Sequence, residues 1–161
     1  MTSGNIFQIN VKPSTPGEHG LPKKSVPFAD IHFGGVDGDY NNFRQEKKKG
    51  DPVMAILVLP IEIINNLNHE GWPVNSGDLG ENLTTSGISH SEFSPGQQDK
   101  AGKAVIEISF ECDPCKNLSV LPCVGETKIN FFMKTLMNRR GWYAKVIQPG
   151  TIYAGELITK I

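Results

Sequence analysis

A chain of 161 residues with 38% apolar side chains has the size of one domain and enough hydrophobic surface for its own core, so 1–161 is read as a single domain. The formal charge of -1, with signs mixed along the chain, excludes a broad basic field for nucleic acid, and the longest charge run, Glu46 to Lys49, reads as a solvated loop. No basic N-terminal segment leads into an apolar stretch, and no apolar run approaches the roughly 18 residues of a spanning helix. The expectation is a soluble, cytoplasmic protein with no membrane partner.

The 17 glycines and 11 prolines are dispersed, which favours many short strands over a helical bundle. Ile6 to Val11 predicts a first strand, stopped by Lys12-Pro13. A loop through "GLPKKSVP" leads into "ADIHFGG". From Gly34 to Asp51 the chain is polar and offers little for a core, so it reads as a long loop. Val53 to Leu59, "VMAILVL", is a continuous apolar run and predicts a strand buried on both faces. Pro60, then Ile61, Ile64 and Leu67 at helical spacing, then Gly71, predict a helix over about 61–70.

In "KAVIEISF", Ala104, Ile106, Ile108 and Phe110 alternate with Glu107 and Ser109, which predicts a strand with those four apolar residues on one face. Ile129, Phe132, Met133, Leu136 and Met137 follow a helical period, with Arg139 and Arg140 in the last turn and Gly141 as the stop. Trp142 to Ile147 and Ile152 to Ile161 read as closing strands around a Pro149-Gly150 turn. Mostly β, with two short helices and no alternating βαβ units, the order favours a β-barrel over a doubly wound sheet.

All three cysteines lie in "ISFECDPCKNLSVLPCVG", Ile108 to Gly125. An odd, clustered set does not resemble a secreted disulfide framework, so free thiols are expected. Cys-x-Pro-Cys-Lys reads like a redox dithiol, yet such a motif needs a helix at once, and Pro122 follows only seven residues after Cys115. A zinc site would need two close ligand pairs; Cys112 and Cys115 supply one, and none of His19, His32, His69 and His90 lies nearby in sequence. Buried, inert thiols are the third reading, suited to Cys123. Cys115 differs, lying past a strand end between Pro114 and Lys116, whose charge would favour a thiolate if it pointed inward. A single reactive or metal-binding thiol there stays open beside the others.

Five stretches in order then resemble one known family. Gly20-Leu21-Pro22-Lys23 with Val26-Pro27, Gly35 to Asp39, "SGDLGENLTTSGI" from Ser76, "DPCKNL" around Cys115, and "RRGWYAKVIQPGTIYAGE" are similar to the motifs of the MOSC domain, the C-terminal module of molybdenum cofactor sulfurases. The chain looks like a small stand-alone member. The resemblance implies a MOSC-type β-barrel and a cysteine, Cys115, that carries sulfur as a persulfide or binds the molybdenum of a pterin-dithiolene cofactor. It implies Arg139 and Arg140 as phosphate or pterin ligands, with Lys23 and Arg44 behind them, and Glu81 and Asn82 as either ligand contacts or loop architecture. A module that services the cofactor is the leading expectation. A molybdenum-dependent reductase of N-hydroxylated compounds, with an external electron donor, and a non-catalytic cofactor-binding module are the alternatives. Without the aminotransferase-like domain of full sulfurases, no pyridoxal phosphate is expected in this chain. Its partners would be a cysteine desulfurase-like sulfur donor, a molybdoenzyme or an electron-transfer protein.

Overall fold

The computed structural model describes residues 2–161, with Asn42 and Phe43 described by their backbone alone. In chain order the strands and helices are β1 (Ser3–Val11), β2 (Lys24–Val26), β3 (Phe28–His32), β4 (Gly35–Val36), α1 (Asn42–Lys47), β5 (Ile56–Pro60) and α2 (Ile61–His69). They continue with β6 (Leu83–Ser86), β7 (Gln98–Ala101), β8 (Ala104–Glu111), α3 (Gly125–Thr135), β9 (Trp142–Gln148), β10 (Gly150–Tyr153) and β11 (Leu157–Lys160). Seven strands, β1, β11, β7, β8, β9, β5 and β6, close on themselves through the β1–β11 and β1–β6 pairings, and β2 extends one edge. Closure leaves these seven strands without free edges, the usual solution for an all-β chain rich in short segments. A small second sheet in the order β10, β3, β4 completes the fold, so the expected barrel is what forms.

Along the barrel the pairings are antiparallel except β5 with β6, which run parallel and are joined through α2 as a single βαβ unit. Ile6, Ile9, Ile56, Val58, Ile106, Ile108 and Ala144 fill the barrel interior. Outside the barrel, Leu59, Ile64, Leu67, Leu118, Phe132 and Leu136 form a second core between α2, α3 and the wall. The period-3.6 spacing read from the sequence supplies the stripe that α2 and α3 turn towards the barrel, except that Met137 lies past the end of α3 and is exposed; Trp72 meets Phe132 edge-on with centroids 4.6 Å apart. β5 lies between the two cores: Ile56 and Val58 point into the barrel, while Leu57 and Leu59 pack outside it. That position accounts for its unbroken apolar run, and the whole strand is buried.

Four expectations change. The strand expected from Val53 starts at Ile56, because Asp51 caps a turn of 3-10 helix over Pro52–Met54 by accepting from the Val53 N–H. Phe110, expected inside with Ile106 and Ile108, is 42% exposed, because the β8–β9 ladder breaks register between Ile108 and Glu111 and turns that side chain out. The segment 34–51 carries β4 and α1 and buries Val36 and Arg44, so it is part of the packed structure. The final stretch is two strands: the chain turns at Gly155, whose φ is +93°, and Gly155 N–H donates to the Ile6 carbonyl there. This corner sends β10 to the small sheet and β11 into the barrel.

Candidate functional site

Cys115 sits just beyond the end of β8, where it opens a turn of 3-10 helix over Lys116–Val120 with an extended backbone, φ -134° and ψ 161°. Its side chain is half-buried and that of Lys116 is exposed. The cation that faces the thiol is a different one. α3 ends at Thr135, Asn138 takes a left-handed φ of 60°, and Gly141 has φ +98°, so Arg139 and Arg140 lie in the turn past the helix. A Cβ at Gly141 would stand 2.5 Å from the Val58 carbonyl oxygen, which makes glycine the residue that lets this turn lie against β5.

The turn sends the two arginines to different places. Arg139 binds Glu70 at the end of α2, with Nη1 donating to Oε1 at 3.0 Å and Nη2 to Oε2 at 2.5 Å, and Nη1 also donates to the Thr135 carbonyl. Arg140 is 4% exposed and interacts electrostatically with Cys112, Tyr143, Cys115 and Glu81. Burial lowers its proton affinity, and those four groups outweigh that and hold it above the usual arginine range. Its Nε and Nη1 atoms are buried with no hydrogen-bond partner. A desolvated guanidinium with unpartnered donors beside a thiol is an arrangement that an anionic or acceptor group would complete.

Cys115, Arg140 and Tyr143 form a partition between two cavities. On one side lies a narrow cleft of about 50 Å³, lined also by Gly20, Leu21, Lys23, Gly80 and Asn117. On the other lies a cavity of about 340 Å³, lined also by Met54, Phe110, Glu111, Cys112 and Pro114. Tyr143 was missed at the level of sequence. It lies two residues past Gly141 on β9, and only the cross-strand packing shows that it faces outward to Cys112 and Phe110.

Lys23, Glu81 and Asn82 come together beside the cleft, and their roles separate. Lys23 donates to both Asp39 oxygens, at 2.7 and 2.6 Å, in a pair whose side chains are 3% and 7% exposed. Burial pushes the Lys23 ammonium below its ordinary value, partly offset by Asp39. Asp39 also accepts from the Lys12 N–H and from Asn82 Nδ2, and it is a second residue that sequence reading had placed only in a turn motif. Asn82 Oδ1 accepts from the Leu57 N–H at 3.0 Å, while Nδ2 donates to the Asn10 carbonyl and to Asp39. Its amide therefore ties the signature loop to β5 and β1.

Glu81 is fully buried, with Oε1 accepting from the Gly77 N–H at 2.5 Å and from Thr84 Oγ1 at 2.9 Å. Its second oxygen has no partner, and burial raises its proton affinity above the usual carboxylate range. The carboxyl stands behind Arg140 and does not line either cavity. Gly77 gives this loop its closeness, because a Cβ there would lie 2.3 Å from the Lys23 carbonyl oxygen.

Arg44 belongs elsewhere. It donates to the carbonyls of Gly34, Met54 and Ala55 and lines a separate polar cavity with His32, Asp37 and Gln45. Cys112 is buried next to Tyr143 and its thiol is pushed up by burial; Cys123 packs at the edge of the outer core. Among the described residues no group of three or more His, Cys, Asp and Glu side chains is arranged to hold a metal ion. No helix of the described residues is long and apolar enough to cross a membrane.

The chain is thus a small closed β-barrel protein that displays a half-buried thiol, Cys115, against a buried arginine, Arg140. The sequence model of the MOSC domain matches residues 45–159, and the chain belongs to the MOSC domain family, which is generally linked to binding of the molybdenum cofactor. The motif-like segments at Gly20–Lys23 and Gly35–Asp39 lie outside that match but within the range of structural likeness. The chain is similar to the crystal structure of YiiM from Geobacillus stearothermophilus, with TM-score 0.74 and 24% identity over 98% of this chain and 75% of that one. It is similar to the YUAD protein from Bacillus subtilis, with TM-score 0.77 and 19% identity over 97% of this chain and 94% of that one. YiiM from Escherichia coli follows with TM-score 0.67 and 20% identity over 98% and 69% of the two chains. At these identities the likeness establishes the shared fold. A search of curated proteins finds no match.

Proposed function

We propose that the chain binds a pterin-dithiolene molybdenum cofactor at the mouth of the barrel, with Cys115 as its thiolate ligand and only an edge of the group entering the narrow cleft. The observation that carries this reading is the buried Arg140 guanidinium with Nε and Nη1 unpartnered beside that thiol. The donor set fits: a soft thiolate suits a metal already held by sulfur, and the open N–H groups suit the anionic parts of the group. Gly80 and Lys23 line the same cleft; the Lys23 ammonium is held by Asp39, and the glycine lets a pterin edge approach the backbone. When bound, the cofactor would supply a metal centre able to exchange oxygen or sulfur.

The chain's own residues hold and orient. Asn82 and Asp39 fix Lys23 and the signature loop, Glu81 stands behind Arg140, and Tyr143 closes the cleft from the far side. Expressing the chain in cells that make the cofactor, then measuring bound molybdenum and pterin, tests this. Near-stoichiometric content in the wild type and loss of it in Cys115→Ser is the expected result; wild-type chain without either overturns it.

A second reading, a persulfide on Cys115, is favoured by the thiol's half-exposed position between two cavities. A Cys115 thiolate attacks the outer sulfur of a donor persulfide; one S–S bond forms, one breaks, and the donor leaves as a thiolate. Intact mass spectrometry showing about 32 Da added at Cys115 and absent from Cys115→Ser would favour it. The donor would be a cysteine desulfurase-like partner.

A further inference from the structure

The wide cavity on the other face of the Cys115–Arg140–Tyr143 partition is not absorbed by this reading. Its most unusual lining residue is Phe110, which strand alternation assigns to the barrel interior. The register break after Ile108 turns it outward instead, where it stays 42% exposed and packs against Tyr143 at 5.3 Å with an interplanar angle of 52°. Bulges of this kind re-aim side chains next to functional sites. Met54, Pro114 and the buried Cys112 make the rest of the wall apolar, and the volume of about 340 Å³ matches a molecule of one or two rings.

The inner end has the opposite character. Arg140 lines this cavity as well as the cleft, it is 4% exposed, and two of its nitrogens have no hydrogen-bond partner. Lys48, Glu111 and Asp113 stand in the lining towards solvent. With one cation against two carboxylates the rim is net negative and opposes a multiply charged anion such as phosphate, while the ring walls add nothing for a small ion such as acetate. From an apolar, ring-walled cavity that ends on a buried guanidinium with two unpartnered nitrogens we propose a second binding site, for an aryl carboxylate or other singly charged aromatic anion. Its ring lies against Phe110 and Tyr143 and its charged edge meets Arg140. The ligand would then lie against Cys115 from the wide cavity, so the inference takes from the previous reading that Cys115 is the centre of the site, while the binding itself needs no cofactor.

The test uses the full chain without cofactor and 2-naphthoate as probe, read by ligand-observed NMR and by the rate at which iodoacetamide alkylates Cys115. The wild type is expected to bind 2-naphthoate and to be alkylated more slowly in its presence. Phe110→Ala should weaken binding about tenfold, because the ring contact and its buried area are lost. Phe110→Tyr should keep it, and Arg140→Met should abolish it. Acetate and inorganic phosphate at the same concentration should give no protection. No binding by the wild type, equal binding by Phe110→Ala, or equal protection by acetate or phosphate would each overturn the proposal. If Phe110→Ala proves unfolded by circular dichroism, Phe110→Gln makes the same comparison. A chain that binds 2-naphthoate but never carries molybdenum, pterin or persulfide overturns the cofactor reading alone; the converse overturns this one alone.

Discussion

Arg139 and Arg140 are neighbours in sequence and belong to two different regions of the molecule. Arg139 joins the helical flank, where it links α3 to α2 through Glu70 in the solvent. Arg140 joins the mouth of the barrel, where it is desolvated among two thiols, a phenol and a carboxyl. The same side chain is thus a surface tie in one place and an open, buried donor in the other. Hydrogen bonds made to a desolvated charge are worth more than those made in water, which is why the second place, and not the first, has the character of a site.

The sharpest way to break this contrast is to exchange the arginines' fates. Arg140→Met should cut bound molybdenum by about 10- to 100-fold, the usual loss when a group supporting a metal ligand is removed. Stability should change little, because a buried charge with unpartnered nitrogens is replaced by an apolar chain of similar length. Equal loss of metal in Arg139→Ala would remove the distinction between the two regions.

Next in size is Asn82→Ala, expected to lower stability by about 3 kcal/mol in denaturant titration, since it strands the buried Leu57 N–H and releases Asp39. Retained stability would mean that the loop is held by its backbone alone. Glu81→Gln gives a smaller effect and a defined pH signature. Burial raises the folded-state carboxyl above its unfolded value, so the folded chain holds the extra proton; that contribution is present below the unfolded value, about 4.3, and is lost as pH rises through the higher folded one. The wild type should lose stability over that rise and Glu81→Gln should not. A parallel pair of curves would place the carboxyl's ionisation outside the coupling with folding.

The smallest change is expected for Arg139→Ala. The Glu70 pair is solvent-exposed, so the melting temperature should drop slightly at low salt and the difference should vanish as salt is added. A large, salt-independent loss would mean that the flank, like the mouth, depends on its arginine.

Much of the fold was legible because it depends on period and punctuation. Ile61, Ile64 and Leu67 after Pro60, and Ile129, Phe132 and Leu136, define one face at 3.6 residues per turn whatever lies opposite. The unbroken run in β5 reported burial on both faces, which the inner and outer cores explain. The short strands β2, β3, β6 and β7 were not separately read, since three to five residues carry too little pattern and gain their order from partners far along the chain. The candidate site was legible in part: the motifs marked Cys115, Arg140 and the Ser76–Ile88 loop and placed Asp39 in a turn, whereas the roles of Tyr143, Asp39 and the outward Phe110 gave no local signal.

What the sequence determined by itself is the set of elements that a local period can write, the apolar strand, the two helices and the thiol placed just past a strand end. What only the tertiary structure decided is which charges lose their water. Arg139 and Arg140, Lys23 and Lys116, and Glu81 and Glu70 are alike as residues. Burial divides each pair, because the energy of a charge depends on the dielectric around it and on the partners that the closed barrel brings within reach.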